Sequence, residues 1–365
     1  MVYLDYSATT KAQKDVIDKF VEIENNHFAN PNSMHKIGLL ANDEIKKSIT
    51  EICNCFNIKE NEIIFTSGAS ESNNTVLKGM NVDHIISTKL EHSSITTPLG
   101  YLQTKGVKVD FVKLDENGLV DLEDLKRLIG NEETLVSIGA VNSEMGIRQP
   151  IEEIGKLLKK YPNVTFHSDI TQLLGKDKFS LENIDLASFS CHKIFGFKGI
   201  GGLIKKENIR LVPLIHGGKS TSVYRSGTPQ TGLICSSSVA IKEAFNNIED
   251  KINKVKELNK YLLNTIKDIV TINSNSFCIP QILNFSLDNI NSDIAQKYFS
   301  DHDIYISTKT ACSSGNYSYV INELYNDMNR AENSLRVSIS YKTTKEELDE
   351  FIKVLKEFLN ENSKN

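Results

Sequence analysis

Lys193 directly follows a short apolar run, Leu186 to Phe189, and precedes a Gly-containing loop, Phe195-Gly196-Phe197-Lys198-Gly199. An amine at the carboxyl end of a strand can form a Schiff base with a carbonyl compound when burial or a nearby cation lowers its pKa. A loop lysine by itself is ordinarily solvated. Asp169 closes a second apolar run, in His167-Ser168-Asp169-Ile170-Thr171-Gln172. Alone it suits a helix N-cap. Opposite a pyridine nitrogen, a carboxylate keeps the ring protonated and able to accept electrons, as pyridoxal phosphate requires. A third segment, Phe65-Thr66-Ser67-Gly68-Ala69-Ser70-Glu71-Ser72, reads as strand, small-residue turn and helix start. Free N–H groups and the helix dipole favour an anion such as a phosphate there, although an ordinary capped helix has the same pattern. Glu71 in its first turn reads as structural.

The elements that must position these residues show a regular alternation. Strands are predicted at 63–65, 84–87, 107–114, 135–141, 164–167, 186–189 and 200–204. Helices are predicted between them at 70–78, 93–104, 122–129 and 151–160. Such alternation predicts an α/β domain with a mainly parallel sheet, with chemistry at the carboxyl ends of its strands. Residues 240–269 carry helical spacing and predict one long connecting helix. Beyond it, strands at 282–287, 304–307 and 335–339 and helices at 294–299 and 345–359 predict a smaller α+β domain. The division expected is a large domain over 14–245, with 1–13 and 246–365 forming the small one. Residues 1–13 are read as an ordered arm leading to a helix-start signal at Thr9-Thr10.

Composition narrows the class. The chain has 365 residues, and 42 Lys+Arg against 47 Asp+Glu leave a net charge of −5. That balance argues against nucleic acid as a direct partner. No run approaches the roughly 18 apolar residues of a membrane span, and the N-terminus lacks a signal-peptide pattern. The six cysteines include no CxxC pair, so reduced thiols in a cytoplasmic protein are expected, with no metal site. His27, His84, His167 and His302 read as structural, His35 as near a cofactor edge, and Lys205-Lys206 as a solvated turn.

Lys193, Asp169 and the Ser70 turn occur in the order and spacing of fold-type I pyridoxal-phosphate enzymes of the class V aminotransferase branch. More narrowly, the chain resembles cysteine desulfurases of the NifS/IscS type. The resemblance is carried by Tyr3–Thr10, Ala29-Asn30-Pro31-Asn32-Ser33-Met34-His35, Glu91-His92, Val141-Asn142-Ser143-Glu144-Met145-Gly146, Ser190–Lys193, His216-Gly217-Gly218, Arg225-Ser226-Gly227-Thr228, Thr310-Ala311-Cys312 and Ser334–Ser338. It covers residues 3 to about 340.

The resemblance implies roles. Lys193 would hold pyridoxal 5′-phosphate and later move the Cα proton of L-cysteine. Asp169 would pair with the ring nitrogen, and Gln172 would donate to the ring's phenolic oxygen. His92 would stack on the ring and assist proton transfer. Ala69, Ser70, Ser190 and His192 would hold the phosphate, with Ser143 beside the ring. Thr228 would reach the phosphate of a partner subunit, implying a homodimer. Arg336 would fork the substrate carboxylate, with Asn30 and Asn142 lining the substrate side. Cys312, in the Ser/Thr/Gly-rich stretch 307–316, would sit on an exposed loop and take sulfur as a persulfide for a sulfur-acceptor protein. Lys309 beside it could lower the thiol pKa.

Some positions depart from the family pattern. Cys191 replaces a usual Gly and is expected to pack away from Lys193 on a strand. Phe197 replaces Pro, Ser143 replaces Asn, and Lys219, Lys309 and Ser340 are also unusual. These leave room for another acceptor or for selenocysteine. Other class V activities (transamination, β-elimination, selenocysteine lysis) and a low-activity cofactor-binding partner protein are the competing readings. Cys312 separates the first group. Retention of Lys193, Asp169, His92 and Arg336 together argues against the second.

Overall fold

The computed structural model describes residues 1–308 and 317–362. Seven strands form the principal sheet in the order Ile63–Thr66, Gly201–Lys205, Leu186–Ser190, Val164–Asp169, Thr134–Ser137, His84–Ser87 and Lys108–Phe111. Gly201–Lys205 runs antiparallel to both neighbours, and the other pairs are parallel. The inner strands Gly201–Lys205, Leu186–Ser190, Thr134–Ser137 and His84–Ser87 are buried along their whole length, as cover on both faces requires. Alternate side chains part to the two faces: Ile64, Ile85, Leu135, Leu186 and Leu203 enter one core, while Ile63, Ile86, Val136, Ala187 and Ile204 enter the other. The α/β architecture expected from the alternation is present.

A three-stranded antiparallel sheet, Ser334–Ser338, Ile282–Ser286 and Thr271–Ile272, forms a separate core with the helices Ile248–Ile266, Ser292–Asp301 and Lys345–Asn362. The N-terminal arm joins this part. Val2–Tyr3 pairs in parallel with Ile304–Tyr305, and Asp5 bridges to Ser338. Among the described residues no helix is long and apolar enough to cross a membrane, and no group of metal-ligating side chains is gathered.

Three expectations need correction. The single helix over 240–269 is two helices, Thr231–Phe245 and Ile248–Ile266. Asn247 takes a left-handed conformation, φ 47°, between them, which ends one helix and re-aims the next. Cys191 lies not on a strand but in a 3-10 turn, Cys191–Lys193, that follows the strand Leu186–Ser190. Its packing role stands: it is fully buried, and burial pushes its thiol up to about 12. Lys205 is not in a solvated turn. It ends a buried strand, and its amine donates to the carbonyls of Lys206 and Ile209 beneath the Tyr224 ring.

Candidate active site

A cavity of about 250 Å³ opens at the carboxyl ends of the principal strands. It is closed on one side by Ser7 and Ala8 of the arm and by Arg336 of the small sheet. Lys193 reaches it because the 3-10 turn follows the strand at once. The Lys193 Nζ donates to the carbonyls of Ser7 at 2.6 Å and Ala8 at 2.7 Å.

Asp169 ends its strand beside Lys193's. One carboxylate oxygen accepts the Thr171 N–H at 2.9 Å, and the other accepts the Asn73 amide at 2.7 Å. Asn73 is fully buried, and its Nδ2 also donates to Ser94 Oγ at 2.9 Å. Neither Asn73 nor Ser94 was expected from the sequence. The signal for Asn73 was present: Ala69, Ser72, Asn73, Val76 and Leu77 mark the buried face of the helix Ala69–Gly79 at helical spacing. One amide on that face must find polar partners.

His92 caps the helix Ser93–Gln103, its Nδ1 accepting the Ser94 N–H at 3.1 Å. Burial lowers its pKa, against the opposing charge of Asp169. The imidazole is therefore neutral near pH 7, with its proton on Nε2, since Nδ1 is an acceptor. Its neighbour Glu91 accepts the Gly139 N–H and the Thr88 hydroxyl, and burial pushes its carboxyl up to about 7.

The anion cradle is tightly built. Ser190 Oγ accepts the Ala69 N–H at 2.7 Å, fixing the start of the helix Ala69–Gly79. A Cβ at Gly201 would lie 2.7 Å from Gly68 Cα, so only glycine allows this approach. Ser70 and His192 face the same cavity. His192 Nδ1 lies 3.1 Å from Thr9 Oγ1, and burial, aided by the Lys193 charge, lowers its pKa to about 4. Glu71 is structural, as expected, and ion-pairs with Arg225 at 2.9 Å.

On the far side, Arg336 is 2% exposed. Its Nη2 donates to Asp5 at 2.6 Å and its Nη1 to the Ser143 carbonyl at 2.9 Å, while its Nε is buried without a partner. Ser143 thus contributes its backbone here. Asn142 lines the cavity but shapes its own turn, accepting from Glu144 N and Met145 N and donating to the Leu90 carbonyl. Gln172 Nε2 donates to the Ser7 carbonyl at 2.9 Å.

The cavity thus unites Ala69, Ser70, His92, Asn142, Ser143, Asp169, Gln172, Ser190, His192, Lys193 and Arg336. Thr228 lies elsewhere in the chain, in a crevice with Ser67 and Arg225. Asn30 is exposed, its side chain accepting Asn32 N in the turn before the helix Lys36–Phe56. His35 caps that helix rather than edging the cavity. Cys312 and Lys309 lie outside the described residues.

The aminotransferase class-V family model matches residues 2–351. The chain belongs to that family. It is 32% identical to the cysteine desulfurase IscS of Dictyoglomus turgidum, covering 98% of this chain and 94% of that one. Among solved structures, a NifS-like protein superposes with a TM-score of 0.93 at 32% identity, covering 98% of this chain and 99% of that one. SspA in complex with cysteine superposes at 0.82 with 29% identity, covering 94% and 100%. Pyridoxal 5′-phosphate is the family's cofactor, and the site fits it. An amine, a carboxylate and a helix N-terminus converge on one cavity, and the buried, unpartnered Thr171 Oγ1 and Arg336 Nε await polar partners.

Proposed function

We propose that the protein is a cysteine desulfurase that converts L-cysteine to L-alanine and leaves a persulfide on Cys312. The observation that carries this reading is the unpartnered, buried Arg336 Nε in the same cavity as the Lys193 amine. A guanidinium N–H left open there suits an α-carboxylate, and the amine then stands near the amino acid's Cα. The relatives named as desulfurases favour cysteine as that amino acid.

Bound by Lys193, Asp169, Gln172 and the Ser70–Ser190 cradle, pyridoxal phosphate supplies an electron sink conjugated to the substrate Cα. The chain's own groups do the rest. Lys193 Nζ would take the Cα proton. The Ser7 and Ala8 carbonyls hold that amine in place. His92, neutral with its proton on Nε2, would return a proton during release of the product. The Cys312 thiolate attacks the substrate sulfur. An S–S bond forms, the Cβ–S bond breaks, and its electron pair stays with the carbon fragment, which is protonated to alanine. Atoms and electrons balance without an outside oxidant.

The persulfide passes to an acceptor protein with a free thiol. The active form in this reading is a homodimer in which Thr228 serves the neighbouring subunit's phosphate. The five described cysteines are all free, which suits a reducing cytoplasm.

The test is alanine formation from L-cysteine and a reductant by the cofactor-loaded protein, with Cys312→Ala beside it. Alanine from the wild type and none from the variant supports the reading. Equal alanine from both removes Cys312 as nucleophile and turns the assignment to a lyase.

A further inference from the structure

Lys176 carries a buried amine that the reaction above does not use. It ends the turn that follows the strand Val164–Asp169, its N–H donating to the Leu173 carbonyl at 3.0 Å. The chain reverses at Gly175, where φ is +71° and a Cβ would stand 3.0 Å from the Ala244 Cβ. That reversal returns the Lys176 side chain beneath Gln172, four residues back. Its carbonyl is pinned by Gln281 Nε2 at 2.6 Å, and its amine donates to Gln172 Oε1. Among the described residues no carboxylate pairs with it. Burial, with the charges of Lys193 and Arg336, holds its amine well below the ordinary lysine range. A long side chain kept in such a place without a counter-ion is held there by what it touches.

What it touches is an amide with two unlike ends. Gln172 Nε2 donates to the Ser7 carbonyl, the same oxygen that accepts the Lys193 amine. Its Oε1 receives Lys176. Reversing the amide would set two oxygens against each other at Ser7 and turn an NH2 group towards an amine. With the observed orientation, the second hydrogen on Nε2 belongs to a side chain that lines the cavity.

We propose that Lys176 is a positioning residue: it holds Gln172 with its N–H end towards Ser7 and the cavity, and so makes Gln172 a hydrogen-bond donor to the anionic ring oxygen of the cofactor. The inference rests on the cofactor role given to Gln172 above. A donor at that oxygen stabilises its ionised form, so losing the donor makes the oxygen hold a proton more strongly.

The experiment follows the visible absorption of the purified holoenzyme against pH, without substrate. Gln172→Ala should raise the spectral midpoint by about one unit, the size of one hydrogen bond to a charged group. Lys176→Met, close in shape but without a donor, should give the same shift. The double variant should shift no further, because both act through one contact. Lys176→Gln keeps a donor and should lie nearer the wild type, and it carries the test if Lys176→Met does not fold. An unchanged midpoint in Lys176→Met beside a shifted Gln172→Ala overturns the proposal. So do additive shifts in the double variant, or a Lys176→Gln midpoint equal to that of Gln172→Ala. An unchanged Gln172→Ala removes the role of Gln172, and the proposal with it, while the alanine assay still judges the desulfurase reading separately.

Discussion

Arg336 and Asp5 form a part-buried ion pair at 2.6 Å, between the last strand of the small sheet and the N-terminal arm. The carboxylate occupies one prong of the guanidinium and the Ser143 carbonyl takes another, while Nε is buried without a partner. Asp5 therefore orients the fork. Asp5→Ala should raise KM for cysteine about tenfold with a smaller change in kcat, since it loosens binding without touching the reacting atoms. Arg336→Ala should lower kcat/KM by about a hundredfold or more, and Arg336→Lys should not restore it. Steady-state kinetics decide, and an unchanged KM in Asp5→Ala would remove its orienting role.

Asp169, Asn73, Ser94 and His92 form one continuous polar chain. His92→Ala should lower kcat by about 10²–10⁴, the range of a lost acid–base group. Asn73→Ala leaves one Asp169 oxygen and Ser94 without their shared donor, at about 1–3 kcal/mol. It should weaken cofactor retention while the protein still folds. Equilibrium dialysis against free cofactor measures this, and wild-type retention would show that Asn73 serves packing alone.

Ser190 Oγ holds the start of the helix Ala69–Gly79, where the proposed reading puts the cofactor phosphate. Ser190→Ala strands the buried Ala69 N–H and should weaken cofactor affinity about tenfold or more. Gly201→Ala should do worse, because its new methyl meets both the Phe189 carbonyl, 2.3 Å away, and Gly68 Cα. Equal affinities for the two variants would mean that the Gly68–Gly201 approach is not needed.

Glu91 gives a pH dependence of stability. Its carboxyl is raised from 4.5 to about 7 by burial, so the folded protein binds the extra proton between those values. Its contribution is full below about pH 4.5 and is lost as pH rises through 7. The uncharged amide of Glu91→Gln escapes that loss. The variant should gain on the wild type between about pH 5 and about pH 8, by at most about 3 kcal/mol. Denaturant unfolding at both values tests it, and a gap that does not widen with pH would show that Glu91 stays ionised throughout.

Lys193 and Asp169 were legible because each stands at the end of a strand whose character is local, whereas His92, five residues beyond the strand His84–Ser87, was drawn from the resemblance. The arm's part in the site was not legible. Nothing within Tyr3-Leu4-Asp5 announces that its partner is Arg336, since the pairing is made by two sheets that meet only in the folded chain. Lys176 was missed because it reads as ordinary turn surface until burial is known, and Asn73 because its spacing marks the buried face of its helix but not its partner Asp169. The break at Asn247 was hidden by apolar spacing that continues across it, although Asn246-Asn247 is a helix-stop signal. Thr228 and Asn30 were drawn from the resemblance rather than from local physics, and in the single chain they stand apart from the cavity.

The arm also sets an order of events at the ribosome. Asp5 emerges 331 residues before Arg336, and Ser7 emerges 186 before Lys193. Closing so long a span precedes any return from the contact. A partly made chain can therefore complete its early strands and even expose Lys193, yet it lacks the arginine with which Asp5 pairs. The nascent protein cannot bring the arm and the small sheet together over the cavity until Arg336 itself has been translated.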